Sequence, residues 1–163
     1  MGASSSIPSE TKSRQSICKN NIRLKDNTYI SYSEEDANAD KLHAELLNSG
    51  YNVIQGNFFT MSKEHNFTIK QHQDLAKEIM SQSQNIIICV SEKTVTSFSQ
   101  AVDINIALDS KKNIVYIFTD ENFTPANTTY LNGLVSYNLW LPAYDAKTMG
   151  VAIETMETYR MLS

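Results

Sequence analysis

Only two cysteines occur in the chain, too few for the disulfide framework of a small secreted scaffold. Cys89 lies inside the apolar run "NIIICVS" and reads as a buried small hydrophobe, while Cys18 lies in a polar stretch. No stretch approaches the ~20 apolar residues that cross a bilayer, and no secretory apolar segment is present. These absences predict a chain kept in a reducing cytosol, where the sequons at Asn66, Asn122 and Asn127 carry no weight. Excess positive charge is missing as well. The formal net charge is -4 and the pI is about 5.3, which argues against nucleic acid as a partner, because affinity for phosphates rests on clustered Lys and Arg. The histidines His43, His65 and His72 have no cysteine or carboxylate at metal-ligand spacing, so no metal site is expected. A Gly-rich phosphate loop, a nucleophile elbow and internal repeats are likewise absent.

What the chain does contain falls into two parts. Residues 1–26, "MGASSSIPSETKSRQSICKNNIRLKD", are dense in serine and lack aromatics. Lys12, Arg14, Lys19, Arg23 and Lys25 outnumber Glu10 and Asp26 there, and the composition predicts a disordered arm. Its opening, Met-Gly-Ala-Ser-Ser-Ser, fits the N-myristoylation pattern, with Gly2 as acceptor after removal of Met and Ser6 at the required position. One myristoyl chain binds membranes with only about 10⁴ M⁻¹, so a second signal is needed. The basic residues supply one at an anionic leaflet, about 1 kcal/mol each near the surface, and Cys18 is placed for palmitoylation. The expectation is a tail that tethers the chain to the inner face of a membrane.

Residues 27–163 alternate between strand-like and helix-like segments. "NTYISYS" reads as a strand. Ala39, Leu42, Leu46 and Leu47 then recur at helical spacing, with Gly50 as the stop. "YNVIQ" is a second strand, and "GNFFTMSKEHNF" over 56–67 reads as a loop. A helical stripe follows at Ile69, His72, Leu75, Ala76 and Ile79. "QNIIICVS" and "KNIVYIFTD" are unbroken apolar runs, as expected of strands covered on both faces. Ala101, Ile104, Ala107 and Leu108 mark the helix between them. "YNLWLPA" is a last short strand, and Met149, Ala152, Ile153, Met156 and Tyr159 mark a closing helix. This alternation predicts a flavodoxin-like three-layer α/β sandwich, a five-stranded parallel sheet in the order 2-1-3-4-5 with helices on both faces. A ligand crevice in such a sheet lies beyond the carboxyl ends of the first and third strands, here Tyr32–Glu35 and Ser91–Glu92. Ser33 is expected to cap the first helix, with Asp36 completing a capping box.

In order and spacing, "YISYSEED" with its helix and "SGYNV" resembles the first box of the Toll/interleukin-1 receptor (TIR) domain family. The run "AKEIMSQSQNIIICVSEKTVTSFSQAVDINIAL", the strand "NIVYIF" and "YNLWLP" with Trp140 continue the likeness across residues 28–162. The resemblance implies two kinds of activity. Many TIR domains are assembly modules that recruit other TIR domains through the loop after the second strand. Others cleave the nicotinamide–ribose bond of NAD with a glutamate in the third helix, in a pattern of Ser, any residue, Trp, Cys, two residues, Glu. On this chain the pattern falls on Ser97, Phe98, Ser99, Gln100, Ala101, Val102 and Asp103, so tryptophan, cysteine and glutamate are all replaced.

The leading expectation is therefore a signalling adaptor or scaffold, innate-immunity-like in family, that associates with TIR-domain proteins or with itself and needs no cofactor. Its interaction loop would be 56–67, with Phe58, Phe59 and Met61 as apolar contacts. The rival is an NAD glycohydrolase or cyclase in which Asp103 is the carboxylate and Ser31, Ser33 and Ser91 line the nucleotide. Aspartate is one methylene shorter than glutamate, and a misplacement of roughly an ångström costs about 10²-fold in rate. The plainer reading makes Asp103 a solvated residue opposite Ile104, Ala107 and Leu108. A nucleotide-binding module without chemistry is the third reading.

Overall fold

The structure, a computed structural model, describes residues 27–55, 68–123, 139–159 and 162. The tail with Gly2 and Cys18, the segment 56–67 with Phe58, Phe59 and Met61, His65, and the residues around Pro125 lie outside the described part.

Strands β1 (Asn27–Ser31), β2 (Val53–Gln55), β3 (Ser83–Val90), β4 (Asn113–Phe118) and β5 (Leu139–Pro142) form one sheet in the order β2-β1-β3-β4-β5. Every neighbouring pair is parallel. Helices α1 (Ala37–Asn48), α2 (Ile69–Ser81), α3 (Phe98–Ser110) and α4 (Ala146–Thr158) connect and cover the strands, and a 3-10 turn (Glu92–Thr96) separates β3 from α3. The predicted topology is the observed one.

Successive strand residues point to opposite faces, and this sorts the core into two halves. Ile30, Ile87, Cys89, Val115 and Ile117 pack with Leu42 and Leu46 of α1 and with Met149, Ala152 and Met156 of α4. Tyr29, Ile86, Ile88, Val90, Tyr116 and Phe118 pack with Met80 of α2 and with Ile104 and Ala107 of α3. The central strands β3 and β4 are buried almost throughout, as their unbroken apolar runs require. The edge strands β2 and β5 are only partly covered. On β5, Trp140 stands edge-on to Phe118, with ring centroids 5.3 Å apart.

Helix ends follow local chemistry, with one correction to the sequence reading. The cap of α1 is Asp36, whose carboxylate accepts the Ala39 amide at 3.0 Å. Ser33 stands one turn earlier and only accepts from the Glu35 amide at 3.4 Å. Gly50, directly after the Ser49 cap, takes φ 91, a left-handed conformation that favours glycine. Thr68 and Gln71 form a reciprocal capping box on α2. Three residues assigned to helical stripes face outward instead. Leu47 is 49% exposed, Leu108 39% and Tyr159 67%; the leucines lie one position past the arc of their helices that meets the sheet, and Tyr159 is the C-cap beyond α4. His43 stands edge-on to Tyr32, with ring centroids 6.0 Å apart.

Candidate functional site

Three segments meet at the carboxyl ends of β1 and β3: the β1–α1 connection, the turn after β3, and the first half of α3. The N-cap of α3 is Ser97, which accepts the Gln100 amide at 3.2 Å and orients the helix over the ends of both strands. Gln100, fully buried, donates from Nε2 to the Cys89 carbonyl at 2.6 Å and to the Ser31 carbonyl at 3.3 Å. One side chain thus bridges the last carbonyl of β1 and the next-to-last of β3.

One turn further along α3 lies Asp103. It is 2% exposed, which overturns the expectation of a solvated residue. The Tyr29 hydroxyl donates to its Oδ1 at 2.9 Å, and the Ser31 hydroxyl to its Oδ2 at 2.7 Å. The burial is a consequence of periodicity. Tyr29 and Ser31 are two apart on β1 and point to the α3 face, while Gln100, Asp103 and Ala107 share the face of α3 that meets the sheet. Burial pushes the Asp103 carboxyl up to about 7 from the ordinary 3.8, although both hydroxyl donors favour its charged form and oppose the rise. Burial likewise raises the Tyr29 phenol, and the neighbouring Asp103 carboxylate raises it further.

The other candidate hydroxyls stand close by but serve their own segments. Ser91 is buried, accepts the Lys93 amide at 3.2 Å, and donates its own amide to Thr94 Oγ1 at 3.0 Å. Ser33 is buried beside the Glu35 amide. The structure therefore joins Ser31 to Asp103 and leaves Ser33 and Ser91 as turn-forming residues on the adjacent connections. At the rim, Lys93 and Glu35 pair at 3.3 Å across these two connections, both largely exposed.

Sequence reasoning missed a second knot. Thr119, just past β4, donates to Asp36 Oδ2 at 2.6 Å and to the Val90 carbonyl at 3.3 Å. Asn38 donates to the carbonyls of Thr119 at 2.8 Å and Tyr144 at 3.2 Å. Asp36 therefore caps α1 and ties the start of that helix to the end of β4. No short-range pattern marks Asn38 or Thr119, since their partners lie far away in sequence. Gln100 was visible only as a departure from a family pattern.

Among the described residues, no group of three His, Cys, Asp or Glu side chains is placed to hold a metal ion. No helix there is long and apolar enough to cross a membrane. The side chains at the switch point of the sheet are instead joined to one another, with the only carboxylate of α3's inner face turned into the protein.

The family model of the TIR domain matches residues 29–150. No curated protein matches the chain. Among solved structures, a de novo designed Rossmann 2x3 fold protein determined by solution NMR is similar at 14% identity, covering 83% of this chain and 90% of that one, with a TM-score of 0.47.

Proposed function

The chain belongs to the TIR domain family, and from that premise we propose that it is a non-enzymatic signalling adaptor. TIR domains are signalling modules that associate with other TIR domains, and this chain would use that association without turning over a nucleotide. The observation that carries the reading is the orientation of Asp103. Both of its oxygens accept hydroxyls of β1, and it is shut away from solvent. A carboxylate that stabilises an oxocarbenium-like state must face the sugar. Gln100 adds to the argument, because its amide occupies the carbonyls at the ends of β1 and β3.

The test is incubation of concentrated protein with NAD and assay of nicotinamide. The adaptor reading expects none above the protein-free blank. Turnover that disappears in Asp103→Ala would establish the rival reading, an NAD glycohydrolase or cyclase with Asp103 as its carboxylate and Ser31, Ser33 and Ser91 around the nucleotide. One observation favours that rival: a buried carboxyl raised to about 7 at the ligand end of a parallel sheet is a frequent mark of functional sites.

For the partner surface we propose residues 56–67. Phe58→Ser with Phe59→Ser is expected to abolish self-association or TIR binding at unchanged melting temperature; a large fall in melting temperature would assign those rings to the core instead. For location we propose the inner face of a membrane, reached through Gly2, Cys18 and the basic tail. Metabolic labelling with a myristate analogue should mark the wild type and not Gly2→Ala.

A further inference from the structure

We propose that the front of α3, Phe98–Asp103, is a flap over the carboxyl ends of β1 and β3, hinged at Ile104, latched while the Asp103 carboxyl is neutral and loosened when it ionises. The two ends of the helix are held differently. Ile104 and Ala107 lie in the apolar layer against the sheet, with Ile106 packed beside them. None of Phe98–Asp103 belongs to either half of the core. Val102 is the one buried apolar side chain of that segment, and Phe98 is 43% exposed. The bonds from this front to the sheet are polar: Gln100 to the Ser31 and Cys89 carbonyls, and Asp103 to the Tyr29 and Ser31 hydroxyls.

Gln100 is neutral at every pH, so Asp103 is the part of the latch that changes. In its neutral form the carboxyl accepts from Tyr29 and can donate to Ser31 Oγ, since a serine hydroxyl both donates and accepts. Ionised, it is a buried charge held by two neutral hydroxyls, and a buried charge without an opposite charge is costly. Burial dominates its surroundings, and no Lys or Arg among the described residues counters it. Other groups on this side supply no positive charge. Tyr29 on β1 stays a phenol, its own ionisation opposed by burial and by Asp103. β3 presents Ile86, Ile88 and Val90, and β4 adds Tyr116. His72 on α2 meets the Ser99 backbone, and burial favours its neutral form. Moving the front of α3 outward therefore gives the carboxylate water and gives up few apolar contacts. It also frees the Ser31 and Cys89 carbonyls, so the end of the sheet where such folds receive ligands changes shape near neutral pH. None of this rests on the adaptor reading.

Two measurements on the full chain test the flap. The first needs no substitution: the Asp103 carboxyl ¹³C shift should titrate with a midpoint near 7, and a midpoint below ~5 would overturn the proposal by removing its trigger. The second reads opening from thiol labelling of Ser99→Cys, a buried position on the flap, in a Cys18→Ser background. The fully buried Cys89 reports opening of the core in the same sample. Each rate is divided by that of the same thiol in the urea-unfolded chain at the same pH, which removes the thiol's own ionisation. The introduced thiol should react about tenfold or more faster than Cys89, as a local opening requires. Its relative rate should rise roughly tenfold from pH 6 to pH 8, because opening returns a carboxyl near 7 to its ordinary range and releases a proton. With Asp103→Asn added, the rise should vanish. Equal relative rates at the two thiols, or the same rise in Asp103→Asn, would overturn the proposal.

Discussion

The two faces of the sheet come from the same strands but are covered by helices of different character. On one face, α1 and α4 contribute Leu42, Leu46, Met149, Ala152 and Met156 to an apolar layer. On the other, α3 buries Ser99, Gln100 and Asp103 beside Val102, Ile104 and Ala107, and α2 adds His72. A buried apolar group contributes through area and packing alone, whereas a buried polar group is tolerated only where it is paired. The apolar face should therefore respond to volume, and the polar face to pairing and protonation.

The largest expected effect is on the apolar face. Leu42 is fully buried, and Leu42→Ala should lower unfolding stability by ~2–5 kcal/mol in urea titration, through lost transfer energy and the cavity left behind. That loss should be the same at every pH between ~5 and ~8, since no proton is involved. A strong pH dependence of the Leu42→Ala effect would erase the contrast between the faces.

Asp103 supplies the opposite behaviour. Its carboxyl is raised to about 7 in the fold from the ordinary 3.8, so the native state binds more protons than the unfolded chain between those values. The favourable contribution of the protonated form is complete below ~4 and falls away as pH rises toward ~7. The full shift of about three pH units sets a ceiling of ~4 kcal/mol. Asp103→Asn, neutral at every pH, should therefore be more stable than wild type at pH ~8 by an amount within that ceiling, with the gain fading toward pH ~4. Asp103→Ala should not share the gain, because it leaves the Tyr29 and Ser31 hydroxyls without an acceptor at ~1–3 kcal/mol for each orphaned group. Chemical denaturation of both variants at several pH values separates these outcomes; an Asn variant less stable than wild type at pH 8 would show that the two hydroxyls compensate the buried charge.

How much of this was legible in the sequence differs between the faces in the same way. The unbroken run Ile86–Val90 and the spaced leucines of α1 carry their burial in their own pattern, so sheet order and helix placement could be read directly. Helix α3 could not be oriented so simply. Ala101, Val102, Ile104, Ile106, Ala107 and Leu108 surround most of its circumference, and periodicity alone does not say which side faces the sheet. The stripe Ile104, Ala107 and Leu108 placed Asp103 outward; the pairs with Tyr29 and Ser31 turn the helix so that Asp103 faces in and Leu108 out. The cap of α1 posed a similar ambiguity. Ser33 and Asp36 are both good caps by residue type; in the fold Asp36 Oδ1 takes the Ala39 amide, while Oδ2 is held by Thr119, remote in sequence.

That cap gives a sharper, smaller effect. Asp36→Ala removes both the acceptor for the Ala39 amide and the nearer acceptor of the Thr119 hydroxyl, which keeps only the Val90 carbonyl at 3.3 Å; a lost cap costs ~0.5–2 kcal/mol. Ser33→Ala should fall within about 0.5 kcal/mol of wild type. Thermal melts of the pair decide the matter: equal losses would return Ser33 to the capping role.

The smallest effect belongs to the rim. Glu35 and Lys93 meet at 3.3 Å across the connections that leave β1 and β3, with their side chains 68% and 51% exposed. Such pairs gain little in water, lose side-chain entropy on forming, and are screened by salt, so a double-mutant cycle with Glu35→Gln and Lys93→Met should give a coupling of ~0.2–1 kcal/mol. The coupling should decline further at ~1 M salt, where the screening length shrinks to ~3 Å. A larger, salt-resistant coupling would mean that the two connections are clamped together from outside as well as by Gln100 within. With a weak pair, closure of the switch point rests on the buried bonds of α3, and the rim contributes little more than its charge.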